Sequence, residues 1–351
     1  MGLTTIPNIR IKAIAACVPK NEESNYDYDL LTEAEQKLLV KTTGIEKRRV
    51  ASDTLCTSDM CLESAEKIIE DLNINREEID VLILVSQTID YFLPATSIIL
   101  QDRLKLSKNT VAFDMVLGCS GYVYGLSVIS SLMSSGNLKK GLLLVGDKST
   151  FSLSKEDKST YPLFGDVGTA TYLEYDETAT PIDFNLQSDG SGYKAIMIPD
   201  GGTRSPWTKE TDKVVELEKG VKRTKRNLWL DGIEVFNFSL REAAPNVKLL
   251  LEYNKTNIDD YDYYLFHQAN KLMNESIRKK LKIEPGKVPY SLKNFGNTSS
   301  GSIPLTIVTE LQEKMDKPTN LVLSAFGVGL SWGSAAIKNA QIKCLPLIEI
   351  E

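Results

Sequence analysis

Histidine is almost missing from this chain: 351 residues contain one, His267. That scarcity excludes histidine-rich metal sites, two-histidine zinc motifs and paired catalytic histidines. A basic surplus is missing as well. Lys and Arg total 41 against 47 Asp and Glu, a formal charge of −6, whereas nucleic-acid binding needs a basic footprint. No apolar run approaches the 18 or more residues of a membrane span; Val81–Val85 and Leu142–Val145 are only strand-length. Cysteine is sparse, odd in number and irregularly placed, at 17, 56, 61, 119 and 344. A chain of this size has no need of disulfide staples, so reduced thiols and a cytoplasmic location are expected. Cys56 and Cys61 have no second pair nearby and make a poor zinc motif. The start of the chain shows no secretory pattern, and Ile6 breaks the myristoylation pattern that Met1-Gly2 would open.

What remains is ordinary globular composition, 42% hydrophobic and 25% charged, at a length that suits two domain-sized units. Short apolar runs at Ile9–Cys17, Val81–Ser86, Val111–Val116, Leu142–Gly146, Tyr263–Phe266 and Leu321–Ala325 read as buried strands. Amphipathic segments lie between them. One is a helix capped by Thr57-Ser58-Asp59 that runs through Ala65, Ile68, Ile69 and Leu72. Near-continuous apolar strands alternating with helices predict an α/β fold whose sheets are covered on both faces. The halves also resemble each other. Asp80–Gln87 matches Asp262–Ala269 at an offset of 182, and Gly141–Gly146 matches Asn320–Ala325 at an offset of 179. The expected organisation is a half over 1–180, a connecting segment over 181–226, and a related half over 227–351. The polar stretch Gly201–Arg226, with Lys222-Arg223-Thr224-Lys225-Arg226, reads first as a solvated excursion and second as a cationic contact for a phosphate or an acidic macromolecule.

Three residues carry candidate chemistry. Cys119 follows an apolar strand and precedes a helix starting at Ser120-Gly121, where the helix dipole would favour the thiolate. A lone cysteine at such a junction is more often a small buried hydrophobe. His267 ends the strand Tyr263–Phe266, at the kind of strand end where ligand groups of α/β sheets gather; by itself it reads as a hydrogen-bonded structural histidine. Asn297 stands in Asn294-Phe-Gly-Asn-Thr-Ser-Ser-Gly-Ser302, between a strand-like Val288–Leu292 and a helix through Leu305, Ile307, Val308 and Leu311. In isolation that is a turn with a helix cap. Under the internal duplication it falls opposite Cys119, which yields a nucleophile with two polar partners.

The chain resembles the thiolase-superfamily condensing enzymes, most of all β-ketoacyl-acyl-carrier-protein synthase III. The resemblance runs nearly end to end, through Thr43–Arg48, Phe113–Gly121, Phe164-Gly165-Asp166, His267-Gln268-Ala269-Asn270, Gly296–Ser299, Ala325-Phe326-Gly327 and Trp332–Ala335. It implies a layered α-β-α-β-α fold of two duplicated halves and a Cys119, His267, Asn297 triad. A single histidine separates this chain from elongating synthases, which use two. The implied chemistry needs no cofactor beyond thioester substrates carried on the phosphopantetheine of coenzyme A or acyl carrier protein. Cys119 would be acylated, its oxyanion held by its own N–H and by the Gly327-Val328-Gly329 loop. His267 and Asn297 would then stabilise the enolate formed as a malonyl thioester loses CO₂, with Phe326 beside the nucleophile. The resemblance also implies a homodimer. The alternatives are transfer of the acyl group to a hydroxyl or amine, and a non-enzymatic carrier-binding homologue.

The departures from the family pattern bear on substrate. Leu38 and Thr42 stand where the family grips adenine with Trp and Arg, and Lys158 replaces a coenzyme-A-contacting Arg. Leu93 aligns with the residue that closes the acyl pocket across the dimer, and Val328 replaces a loop glycine. These changes point away from acetyl-coenzyme A as primer and towards a specialised lipid pathway. Asn270 aligns with a pantetheine contact. Lys271, Arg278, Lys279 and Lys280 match the basic patch that meets an acidic carrier, with Leu272 in place of a family Arg.

Overall fold

The computed structural model describes residues 2–351, in which two large sheets are accompanied by three two-stranded ribbons. The first runs Lys343–Cys344, Ile9–Pro19, Val167–Tyr175, Lys140–Asp147, Val81–Val85, Val111–Met115, and Ile348–Ile350 also pairs with Ile9–Pro19. The second runs Leu3–Ile6, Ile182–Ser188, Ser331–Ala340, Thr319–Gly327, Tyr263–Phe266. Their central paths match. In each, a strand pairs in parallel with a longer one (Val81–Val85 with Lys140–Asp147, Tyr263–Phe266 with Thr319–Gly327), which is followed by two antiparallel neighbours. The chain ends cross over: Leu3–Ile6 joins the second sheet, and the two C-terminal strands join the first.

Side-chain alternation explains the layers. Val81, Ile83, Val85, Leu143 and Val145 face inward, with Leu321, Leu323 and Ala325 from the second sheet, onto the helices Gly121–Met133 and Ser302–Glu310. Leu82, Leu84, Leu142 and Leu144 face outward onto Ala65, Ile68 and Ile69 of the helix Thr57–Asp71. Val322, Tyr264 and Phe266 face the outer helices Gly232–Tyr253 and Lys271–Leu281. Both sheets are thus buried on both faces, and their strands read as continuous apolar runs for that reason. The two central helices begin at Gly121, just after Cys119, and at Ser302, one short turn after Asn297, so the inner layer brings both segments to one place.

Three local expectations change. Val288–Leu292 joins no ladder. Pro289 has no N–H to give, the Ser291 N–H donates to the Gln268 side chain (3.2 Å), and a short helix follows at Leu292–Phe295. The helix Thr57–Asp71 takes Cys56 rather than Thr57 as its N-cap, with the Asp59 carboxylate accepting from the Cys56 N–H at 2.8 Å. The stretch 181–226 opens with Ile182–Ser188, a strand of the second sheet. Farther along, Gly201–Arg226 turns its cations onto the chain's own acids. Arg223 reaches Asp157 at 3.3 Å with both nearly buried, Lys222 reaches Glu156, and Arg226 pairs with Asp212 while stacking over Trp207.

Candidate active site

Cys119 is half-buried between the strand Val111–Met115 and the helix Gly121–Met133. Its nearest neighbour across the site is backbone. A Cβ at Gly327 would stand 2.5 Å from the Cys119 Cβ and 2.7 Å from its Sγ, so only glycine permits this approach. Behind it, a Cβ at Gly118 would meet the Gln87 amide oxygen at 2.2 Å and a Val328 methyl at 2.6 Å. The N–H of Val328 and that of Cys119 itself are both directed at the thiol and favour its ionised form, as does the Ser299 hydroxyl. These are the donors that an oxyanion formed at Cys119 would meet. The Val328 carbonyl is fixed by the Ser331 hydroxyl at 2.9 Å, which in turn bonds the Ser120 hydroxyl at 2.7 Å.

The helix start does not make this a low-pKa thiol. Burial pushes Cys119 up to about 11, and the Asp147 charge adds to that rise; the backbone donors only partly offset it. Ser120, the N-cap, makes no side-chain capping bond. Desolvation outweighs the dipole here because the helix end lies inside the molecule.

His267 continues the parallel pairing of Tyr263–Phe266, its N–H donating to Ser324 at 2.8 Å, and it is buried. Its carbonyl accepts from the Asn274 amide at 3.1 Å. Nδ1 lies 2.8 Å from the Ser302 hydroxyl, which accepts the Gln268 N–H at 3.3 Å. A Ser302 hydroxyl that donates to Nδ1 leaves the ring proton on Nε2, the tautomer able to donate into the site. Burial lowers the His267 pKa to about 3, with a Ser299 backbone contact offsetting part of the effect, so the ring is neutral near pH 7. The Phe326 ring meets the imidazole edge to face, with centroids 5.8 Å apart.

Asn297 is buried, its backbone tied on both sides to the Leu163–Gly165 segment: its N–H donates to Leu163 at 2.9 Å, and its carbonyl accepts from Gly165 at 3.0 Å. The side-chain Oδ1 accepts the Ser299 N–H at 2.9 Å, which leaves the amide nitrogen as the end available to a ligand. Ser299 thus meets all three candidates: its hydroxyl faces Cys119, its backbone His267, and its N–H Asn297. It holds a left-handed backbone, φ 48°, a conformation seldom kept by a non-glycine residue without surrounding constraint. Ser299 and Ser302 stand in the Asn297 motif and Asp147 ends a strand, but nothing in their sequence pattern singles them out as site residues.

Asp166 of the Phe164-Gly165-Asp166 motif works beneath the site. It accepts from the Ala51 N–H at 2.8 Å and from the N–H and hydroxyl of Thr150 at 3.0 and 2.6 Å. Arg48, from the Thr43–Arg48 motif, is buried against the Phe164 carbonyl, Glu23 and the Tyr161 ring.

The peripheral candidates fare unevenly. Asn270 caps the helix Lys271–Leu281, its Oδ1 accepting the Met273 N–H at 2.8 Å. Lys158 pairs with Glu35 at 3.2 Å, and Leu38 and Thr42 lie exposed on the helix Glu33–Thr43. Leu93 is 87% exposed beside exposed Tyr91 and Phe92, so within one chain it closes no pocket. Of the basic patch, Lys271 and Lys279 are exposed, and Lys280 is exposed but donates to the Leu240 carbonyl. Arg278 is withdrawn from it. Its guanidinium binds both oxygens of Glu275 and the Ile283 carbonyl, leaving 12% of the side chain exposed.

Comparison with known proteins bears on the whole chain. A family profile described as 3-oxoacyl-[acyl-carrier-protein (ACP)] synthase III matches residues 113–190, and one described as the C-terminal part of the same synthase matches residues 251–339. A β-ketoacyl-[acyl-carrier-protein] synthase III of Aliarcobacter butzleri is 32% identical over 337 residues, covering 95% of this chain and 98% of its own. The chain belongs to the 3-oxoacyl-[acyl-carrier-protein] synthase III family. A synthase III of Clostridioides difficile, 31% identical, spans 93% of this chain and 97% of its own length. The crystal structure of a 3-oxoacyl-(acyl-carrier protein) synthase from Burkholderia xenovorans superposes with a TM-score of 0.93 at 35% identity, covering 99% of both chains. The thiolase-like fold and the condensing, acyl-transferring activity of this synthase III family therefore hold for this chain. No helix among the described residues is long and apolar enough to cross a membrane.

Proposed function

We propose that the protein joins an acyl group, held as a thioester on Cys119, to the carbon freed when a malonyl thioester loses CO₂. The observation that supports this most is the set of donors around one thiol. Backbone N–H groups of Val328 and Cys119 face Sγ, and a neutral imidazole and an amide nitrogen remain for a second carbonyl. The first pair suits the oxyanion of acyl transfer and the second suits the enolate of decarboxylation. Each donor placed where charge develops contributes ~2.7–4 kcal/mol. Buried Phe326 and the dry surroundings of His267 disfavour a malonyl carboxylate relative to CO₂.

Thioesters of acyl carrier protein or coenzyme A are the substrates in this reading. The Glu35–Lys158 pair and the exposed Leu38 and Thr42 favour the carrier, since no stacking or bidentate grip for a nucleotide is present at those positions. Lys271 and Lys279, with Lys280, form the basic face an acidic carrier would meet. The working unit is a homodimer in the cytoplasm. Val111–Met115 is an edge strand of the first sheet, and exposed Val111, Val116, Ile98 and Tyr91–Leu93 surround it; such an apolar edge calls for a partner. The departures from the family pattern favour a specialised lipid pathway.

The test uses intact-mass spectrometry with acyl-carrier and acyl-coenzyme A donors, then ¹⁴C-malonyl carrier. Cys119→Ala removes the acyl adduct, whereas Asn297→Ala keeps it and slows CO₂ release. CO₂ release by the unmodified protein without a β-keto product would overturn the reading.

A further inference from the structure

The strand Lys140–Asp147 ends in a carboxylate with no place in the chemistry described so far. Asp147 is 2% exposed. One oxygen accepts the Gln87 N–H at 2.7 Å and the Ser86 hydroxyl at 3.2 Å, both at the end of the strand Val81–Val85. The other accepts the Ser300 N–H at 3.2 Å and its hydroxyl at 2.6 Å, from the turn between Asn297 and the helix Ser302–Glu310. The first two donors belong to the N-terminal half and the last two to the C-terminal half. Ser86 accepts the Thr88 N–H, at 3.0 Å, and so has its own proton to give. Four donors converging on two oxygens is the pattern of an ionised carboxylate.

We propose that Asp147 is a positioning residue of the reaction: it clamps the Gln87 turn of one half to the Asn297–Ser300 turn of the other. The clamp matters because the two turns flank the nucleophile. Gln87 lies over Gly118, directly before Cys119, while Ser299 meets Cys119, His267 and Asn297. One side chain therefore sets the register between the turn behind the nucleophile and the turn that carries Asn297 and Ser299, which belong to different halves. The clamp is made of hydrogen bonds and not of an ion pair: Lys148, the next residue, turns its ammonium away onto the carbonyls of Ser52 and Asp53. Burial pushes Asp147 above the usual carboxylate range, and its donors pull it back.

The proposal rests on the proposed function, but one arm of its test needs no substrate, so the two failures are distinguishable. Hydrogen exchange of the Gln87 and Ser300 amides is followed in the full-length protein. Ser300→Ala removes the shortest bond to Asp147 and leaves Cys119, His267 and Asn297 in place. Its Gln87 amide is expected to exchange about tenfold faster, its acyl adduct still forms, and its condensation with malonyl carrier falls about tenfold or more. Asp147→Asn, which keeps the shape, is expected to do the same. Unchanged exchange in both variants overturns the clamp. Faster exchange with undiminished condensation overturns its positioning role, and both readouts of Ser300→Ala hold even if Asp147→Asn does not fold.

Discussion

Replacing Gly327 by alanine tests the geometry on which the site depends. The added methyl would lie 2.5 Å from the Cys119 Cβ and 2.7 Å from Sγ. Carbon atoms pack at about 3.5–4.0 Å, so the two segments must part by about 1 Å. Neither can yield freely. Gly327 is paired with Ser331 in the sheet, and Ser331 bonds both the Val328 carbonyl and Ser120. The displacement therefore carries the Val328 N–H away from the sulfur. A misplacement of about 1 Å costs roughly 100-fold in rate, and overpacking costs about 1–3 kcal/mol of stability. The expected outcome is a folded protein whose burst acylation of Cys119, read by quenched mass spectrometry, is slowed about 100-fold. Acylation at the wild-type rate, with an unchanged melting temperature, would refute the close approach of Gly327 to Cys119.

Arg278→Ala should act on stability and not on carrier recognition. It removes the charged bonds to Glu275 and Ile283, for an expected loss of about 2 kcal/mol in denaturant unfolding, while the KM for malonyl carrier stays unchanged. Lys279→Glu should do the reverse, raising that KM with little effect on unfolding; equal behaviour of the two variants would contradict the division. For His267, burial holds the folded pKa at about 3, below the ordinary value of about 6.5. Between these two values the unfolded chain binds a proton that the folded one does not, so stability falls as pH drops through that window and is unaffected above it. Malonyl decarboxylation should accordingly show no acid limb near pH 6.5, and a limb there that is absent in His267→Gln would show that the ring titrates normally.

The strand register was open to reading where side chains are large and apolar. Val81–Val85 and Tyr263–Phe266 announce themselves because both of their faces are covered. The strands Val167–Tyr175, Ile182–Ser188 and Ser331–Ala340 do not, because they mix Gly, Ser, Thr, Ala and Asn, residues that pack closely between layers but give no run. Val288–Leu292 misleads in the opposite sense. Its Val, Tyr and Leu suggest a strand, yet Pro289 cannot donate and Ser291 is taken by Gln268. The internal duplication was visible at two offsets, and it was enough to bring Asn297 opposite Cys119.

The sequence by itself determined the available chemistry: one imidazole, a cysteine and an asparagine in three motifs that each precede a helix, and no second histidine or basic surplus to support another mechanism. These follow from residue identity and order alone. Tertiary structure decided the states and freedoms of those groups. Cys119 is a high-pKa thiol rather than a helix-activated thiolate, His267 is neutral, Asn297 presents its amide nitrogen, and Arg278 is already occupied. Each depends on burial and on partners far away in the chain, as Asp147 does when it joins Gln87 to Ser300. Desolvation and hydrogen bonding act through space, and local sequence does not carry that information.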